Sequence, residues 1–198
     1  MCGIAGVYGK EITINQIKDC QVDLKDRGPD NSDYYKKDNI TLIHTRLSIL
    51  DLSSLGNQPM RDELSGTILI YNGEIYNFNE LQKKIDPSLN ETNDTRVLLK
   101  LFIKYGKDCF KMLRGMFAIA IWQEKEKKLT LVRDRFGIKP LYYAFVKNVF
   151  YFGSETKVIN TLGVDKNLDN KSIKNYLVNG ILENNNNTMF ENVKTLEP

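Results

Sequence analysis

A thiol stands at the second position of this chain, in Met1-Cys2-Gly3-Ile4-Ala5-Gly6-Val7. Once Met1 is removed, one residue carries both a thiol and a free α-amine. A free thiol titrates near about 8.5 and an α-amine near about 7.7–8.0, well below a lysine side chain. Such an amine can take up the thiol's proton, so the nucleophile needs no base from elsewhere in the chain. Taken alone, a cysteine at position 2 reads more simply as a small apolar residue.

Three other clusters give the thiol something to act on. In Tyr71-Asn72-Gly73-Glu74 the Asn72 amide and the Gly73 backbone N–H could both aim at the oxygen of a tetrahedral intermediate. The same Asn-Gly pair at the end of an apolar strand is more commonly a turn. Arg46 has the planar fork suited to a carboxylate, though an arginine in a strand can also snorkel at an edge. Asp94, alone or with Glu74, could hold an ammonium, whereas its simplest role at the head of a helix is an N-cap. His44 is the one histidine, so a Cys–His pair would have to use it. His44, Arg46 and Ser48 alternate on one strand face, where the guanidinium would tend to lower the imidazole's pKa. The α-amine of Cys2 is the better base, because covalent attachment fixes its proximity. A thiol, an oxyanion hole, a carboxylate grip and an ammonium grip together fit a free amino acid with an acyl side chain. Glutamine is the obvious candidate, cleaved to glutamate and ammonia.

Composition limits the alternatives. The 198 residues suffice for one substantial core, and 41% hydrophobic with 27% charged is ordinary for a globular chain. A net charge of +3 is too small to argue for nucleic acid. The longest apolar run, residues 116–122, is too short to cross a bilayer, and no secretory signal opens the chain. Cys2, Cys20 and Cys109 are odd in number and far apart, which suggests neither a zinc site nor a disulfide framework and fits a reduced, cytoplasmic setting.

The elements that must position these groups follow from periodicity. Residues 3–9 read as a strand. Thr13 with Gln16 makes a capping box for a helix carrying Ile17, Cys20 and Leu24, and Arg27-Gly28-Pro29-Asp30 ends it with Gly28 as a left-handed cap. Strands are predicted over 40–50 and 67–72. Asn77 with Glu80 caps a second helix, and a third runs from Asp94 to Gly106, followed by a helical turn through Phe110 and Leu113. Two hairpins, 116–134 and 141–153, complete the sheet structure. The apolar 116–123 strand should be covered on both faces, which points to a layered α+β domain. Residues 161–198 read as a short helix near 172–177 within a connecting segment.

With these residues in hand, the chain resembles the glutaminase domain of class II glutamine amidotransferases, and most closely that of the asparagine synthetases. The matching stretches are MCGIAGVYG (1–9), RGPD (27–30), HTRLSILD (44–51), QPM (58–60), YNGEIYN (71–77), MFAIAIW (116–122), RDRFGIKPLYY (133–143) and FGSETKVI (152–159). Each is modest, but the ordered set is specific. The resemblance implies an N-terminal nucleophile fold, an αββα four-layer sandwich of two antiparallel sheets, over residues 2–160. It implies Cys2 as nucleophile and Asn72 and Gly73 as oxyanion donors. Arg46 would bind the glutamine α-carboxylate, Leu47, Ser48, Ile49 and Leu50 would form pocket wall, and Glu74 and Asp94 would hold the amino group. Two positions depart from the pattern: Thr92-Asn93 precedes Asp94 where Ser or Gly usually adjoins the acid, and Arg96 replaces a common acidic residue. No catalytic role is evident for Arg133-Asp134-Arg135. An ATP-using synthetase domain with a Gly-rich SGG-x-DS loop is implied beyond these residues, with ATP and magnesium as its requirements and none for this segment, and aspartate as the default ammonia acceptor. A surface-polysaccharide sugar, a sugar-phosphate or phosphoribosyl acceptor, a homodimer, and a non-catalytic domain of the same fold stay open at this point.

Overall fold

The computed structural model describes residues 1–49, 51–180 and 186–198. The strands are β1 (Gly3–Tyr8), β2 (Asn31–Lys37), β3 (Ile40–Arg46), β4 (Met60–Asp62), β5 (Thr67–Ile75), β6 (Gly115–Gln123), β7 (Lys128–Arg133), β8 (Tyr142–Val146), β9 (Val149–Gly153) and β10 (Lys194–Thr195). The helices are α1 (Ile14–Asp23), α2 (Phe78–Ile85), α3 (Asp94–Tyr105), α4 (Thr156–Thr161) and α5 (Asn170–Asn179). One sheet has the order β10-β8-β9-β1-β3-β2 and the other β4-β5-β6-β7, with antiparallel pairing in both.

Alternation along the strands produces the layers. In β1, Ile4 points between the sheets, where it meets Leu42, Ile68, Ile70, Ala118, Ala120, Trp122 and Phe152. Its neighbours Ala5 and Val7 face the other way and pack with Ile17, Cys20 and Leu24 of α1 and Val158 and Ile159 of α4. In the second sheet Leu69, Phe117, Ile119 and Ile121 pack under Leu81 of α2 and Val97, Leu98, Leu101 and Phe102 of α3. Three apolar layers thus separate helices, sheet, sheet and helices, which is the αββα sandwich. β6 lies between β5 and β7 with apolar cover on both faces, as its composition requires.

Several local expectations are corrected. The Thr13–Gln16 capping box is present, but α1 ends at a right-handed Leu24, and Gly28 is not left-handed. Gly28 serves close approach instead: a Cβ there would meet the Thr45 carbonyl at 2.3 Å. Asn77 does not cap α2 with its side chain. Its amide bridges Met112 O (3.0 Å) and Arg114 N (2.9 Å), because the chain after the α3 turn runs alongside. Asn72-Gly73 is not a turn, since β5 continues through it to Ile75, paired with β6 as far as Gly115. The 40–50 strand stops at Arg46. Strand β2 is polar and mostly exposed at a sheet edge, so it lacks an apolar alternation. The segment 161–198 is in part packed into the sandwich: Leu162, Val164 and Val193 belong to the α1-side core, and β10 adds to the edge of β8. Of the asparagine run 184–187, residues 184 and 185 lie outside the described residues.

Candidate active site

The antiparallel register of β1 with β3 sets Gly3 opposite Thr45, which brings Cys2 alongside Arg46 and Leu47. The Leu47 N–H donates to Cys2 Sγ at 3.4 Å, and the thiol lies 3.7 Å from Leu47 O. Arg27 Nε donates to Cys2 O at 3.1 Å while its Nη1 pairs with Glu155 at 3.2 Å, so the RGPD and FGSET motifs together hold the start of β1. Cys2 is thereby held at its carbonyl by Arg27 and at its sulfur by Leu47.

Cys2 opens into a cavity walled by both sheets and the head of α3. Of the residues singled out by sequence, Arg46, Leu47, Ile49, Asn72, Gly73, Glu74 and Asp94 share it with Cys2. Ser48 does not. Its N–H donates to Asp30 at 2.7 Å, and it faces a separate depression with Asp30, Asn31 and Asn57, because β3 ends at Arg46 and the strand's alternation no longer holds residue 48 on the Arg46 face. Leu50 lies outside the described residues.

Arg46 and Asp94 differ from the simple picture in how much hydrogen bonding the protein already supplies. Arg46 is 6% exposed. Its Nη1 donates to Ser53 O (2.7 Å) and Asn57 Oδ1 (2.8 Å), and its Nη2 donates to Asp51 O. Asp94 is not the N-cap of α3. Asn93 is, accepting from Thr95 N and Arg96 N. Asp94 Oδ2 instead accepts from Tyr71 OH at 2.9 Å and Ile75 N at 3.0 Å, and burial pushes its carboxyl above its ordinary value.

The β5 wall is arranged otherwise. Asn72 is 1% exposed, and neither its Oδ1 nor its Nδ2 has a hydrogen-bond partner. An unpaired buried amide costs about 1–3 kcal/mol, so it marks a place where a ligand group belongs. Gly73 follows by the geometry of the ladder. Phe117 spends its N–H and C=O on Asp134, so it has none for Gly73 opposite, and Gly73 N–H therefore points off the free edge of β5. A Cβ at Gly73 would meet Met116 O at 2.2 Å, which only glycine avoids.

His44 does not act as a base here. It is fully buried and does not line the cavity, and its Nε2 lies 3.3 Å from Tyr71 O. Burial, assisted by Arg46, pushes its pKa down to about 3, which leaves a neutral ring. Burial also raises the Cys2 thiol, against the lowering effects of the Leu47 backbone, the chain-terminal amine and Arg46. In this structure that amine belongs to Met1. Burial lowers it, with help from Arg27 and Lys139.

Lys139 was not foreseen. It is 4% exposed and lines the cavity, where burial and then Arg27 lower its ammonium. The RDRFGIKPLYY motif carries it on a loop wound around Asp134. Buried Asp134 accepts four backbone N–H groups, from Phe117, Phe136, Ile138 and Lys139, at 3.0–3.1 Å. Those bonds overcome burial and lower its carboxyl. Arg133 donates to Gly137 O, Lys139 O and Leu196 O, and Arg135 to Leu113 O and Lys111 O. Arg133-Asp134-Arg135 is thus a scaffold for the loop. Gln58, Tyr71 and Thr95 also line the cavity without having been singled out as site residues.

The sequence profile described as "Glutamine amidotransferase domain" matches residues 1–198. The chain belongs to that family. The glutamine amidotransferase domain is 35% identical over 207 residues to asparagine synthetase [glutamine-hydrolyzing] 1 of Bacillus subtilis, covering 100% of this chain and 32% of the relative. It is 37% identical over 171 residues to asparagine synthetase [glutamine-hydrolyzing] 3 of the same organism, covering 80% and 27%. Among solved structures, glutamine phosphoribosylpyrophosphate amidotransferase from B. subtilis superposes with a TM-score of 0.70 at 20% identity, over 82% of this chain and 44% of that one. That likeness shows the fold: a layered α+β sandwich with two antiparallel sheets. The chain spans no more than 40% of the length of these curated relatives. No described helix is long and apolar enough to cross a membrane.

Proposed function

We propose that this domain hydrolyses L-glutamine through a thioester on Cys2. The reading rests on the Asn72 amide, buried and unpartnered on the wall of the cavity that Cys2 enters. After Met1 removal the α-amine of Cys2 takes the thiol proton. Sulfur attacks the side-chain carbonyl carbon, a C–S bond forms, and the carbonyl electron pair moves onto oxygen. Asn72 Nδ2 and Gly73 N–H donate to that oxyanion. The ammonium returns its proton to the leaving nitrogen, the C–N bond breaks, and ammonia departs. Water then cleaves the thioester to glutamate and restores the thiol. Arg46 would take the α-carboxylate with its remaining N–H donors, and Glu74 and Asp94 Oδ1 the α-ammonium.

In the whole protein, the ammonia would serve ATP- and magnesium-dependent amidation of aspartate by a following synthetase domain, as the names of the relatives suggest. A cytoplasmic setting belongs to the same reading, since Cys2 must stay a thiol. The test is equimolar glutamate and ammonia from glutamine by protein whose mass confirms loss of Met1. Protein retaining Met1 is expected to be nearly inactive, and full activity with Met1 attached excludes the α-amine as base.

A further inference from the structure

Strand β5 outruns its edge partner. β4 pairs only with Thr67 to Leu69, and beyond that the β5 edge borders the cavity. Three amides point off this edge in succession: Tyr71, Gly73 and Ile75. The outer two are capped by side chains. Tyr71 N–H donates to Gln58 Oε1 at 2.6 Å, and Ile75 N–H donates to Asp94 Oδ2 at 3.0 Å.

The β4–β5 register pairs Met60 with Leu69, so residue 58 falls opposite Tyr71. A regular strand would serve Tyr71 with the residue 58 carbonyl and continue on to cover Gly73. Gln58, 4% exposed, turns its side chain into the place of that carbonyl, and its Nε2 lies 3.5 Å from Thr95 Oγ1 on α3. A neutral acceptor suits the position, because the Glu74 and Asp94 carboxyls already share the cavity and a third would oppose an oxyanion.

We propose that Gln58 is a positioning residue for the cleavage, a one-residue stand-in for strand β4 that ends the ladder and leaves the Gly73 N–H free to receive the oxyanion. This rests on the glutaminase reading above.

Amide hydrogen exchange tests the geometry without relying on turnover. In ligand-free wild type, Tyr71 and Ile75 are expected to be protected and Gly73 to exchange about tenfold faster or more, despite its place inside a strand. A Gly73 amide as protected as its neighbours overturns the proposal and requires no variant. Gln58→Met keeps length and removes the acceptor. It is expected to speed Tyr71 exchange about tenfold or more and to lower kcat about 10- to 100-fold, within the range for disturbing one oxyanion donor. KM should stay within about twofold, since the ground-state grips are elsewhere. Gln58→Glu keeps Oε1 and should restore Tyr71 protection. Unchanged kcat or unchanged Tyr71 exchange in folded Gln58→Met also overturns the proposal. Absence of glutamate release from wild type counts against the glutaminase reading instead.

Discussion

The cavity has two unlike walls. On the β3 side, Arg46 is tied to Asp51, Ser53 and Asn57, and Cys2 to Leu47 and Arg27. On the β5 side, both polar atoms of the Asn72 amide are unpartnered and Gly73 presents its N–H to a bare edge. On the first wall the side chains are largely engaged with the protein, although Arg27 Nη2 is buried without a partner. The second carries polar groups that the fold has desolvated without satisfying. A protein keeps such groups where a ligand supplies what is missing, and donors held in advance cost no reorganisation when charge develops. In the proposed mechanism the first wall would support Cys2, and the second would receive the reacting oxygen.

Substitutions can separate the walls. The largest effect is expected for Cys2→Ala: glutamate release falls to background while circular dichroism and the unfolding transition keep their wild-type form. Undiminished release would place the nucleophile elsewhere. Asn72→Ala should lower kcat about 10²–10³-fold. It should leave stability nearly unchanged, because no protein hydrogen bond is lost. Arg46→Ala should behave oppositely. It strands the acceptors of the 51–57 loop and is expected to cost about 2 kcal/mol in denaturant unfolding, with KM raised about 10- to 100-fold. If Asn72→Ala proved strongly destabilising, or Arg46→Ala left stability untouched, the division between the walls would fail.

A smaller effect concerns pH. Burial raises the Cys2 thiol, so its thiolate fraction grows only above the ordinary range. With Met1 attached, iodoacetamide labelling of Cys2 should therefore still be rising with pH beyond about 8.5, where a free thiol has half ionised. Cys20 and Cys109 are buried with thiols pushed up to about 12 and should stay silent in the folded protein. A labelling rate that levels off at or below the free-thiol range would mean that Arg46 and the terminal amine outweigh burial.

Most of the layered architecture was legible because its strands and helices are strongly periodic. Residues 116–123 read as a strand covered on both faces, and β6 is one. What escaped was carried by polar or short elements. The edge strand β2 shows no apolar alternation, and β4 and β10 are too brief for any period to register. Asn77 has capping chemistry, but its amide is taken by Met112 and Arg114, partners 35 and 37 residues away. Local propensity loses there to a tertiary contact.

The site divides in the same way. Residue type and order were enough to single out Cys2, Arg46, Asn72, Gly73 and Asp94, because nucleophile, donor and ionic grip are properties of side chains and of a free amide. Whether each was available was another matter. Ser48 turned to Asp30 once β3 had ended at Arg46, His44 was sealed between sheets, Lys139 was lifted into the cavity by a loop wound around Asp134, and Gln58 took a strand's place. Sequence by itself determined which chemical groups the domain owns. Only the tertiary structure decided which of them are desolvated, which are already bonded and which face one another, since those depend on partners tens of residues away along the chain.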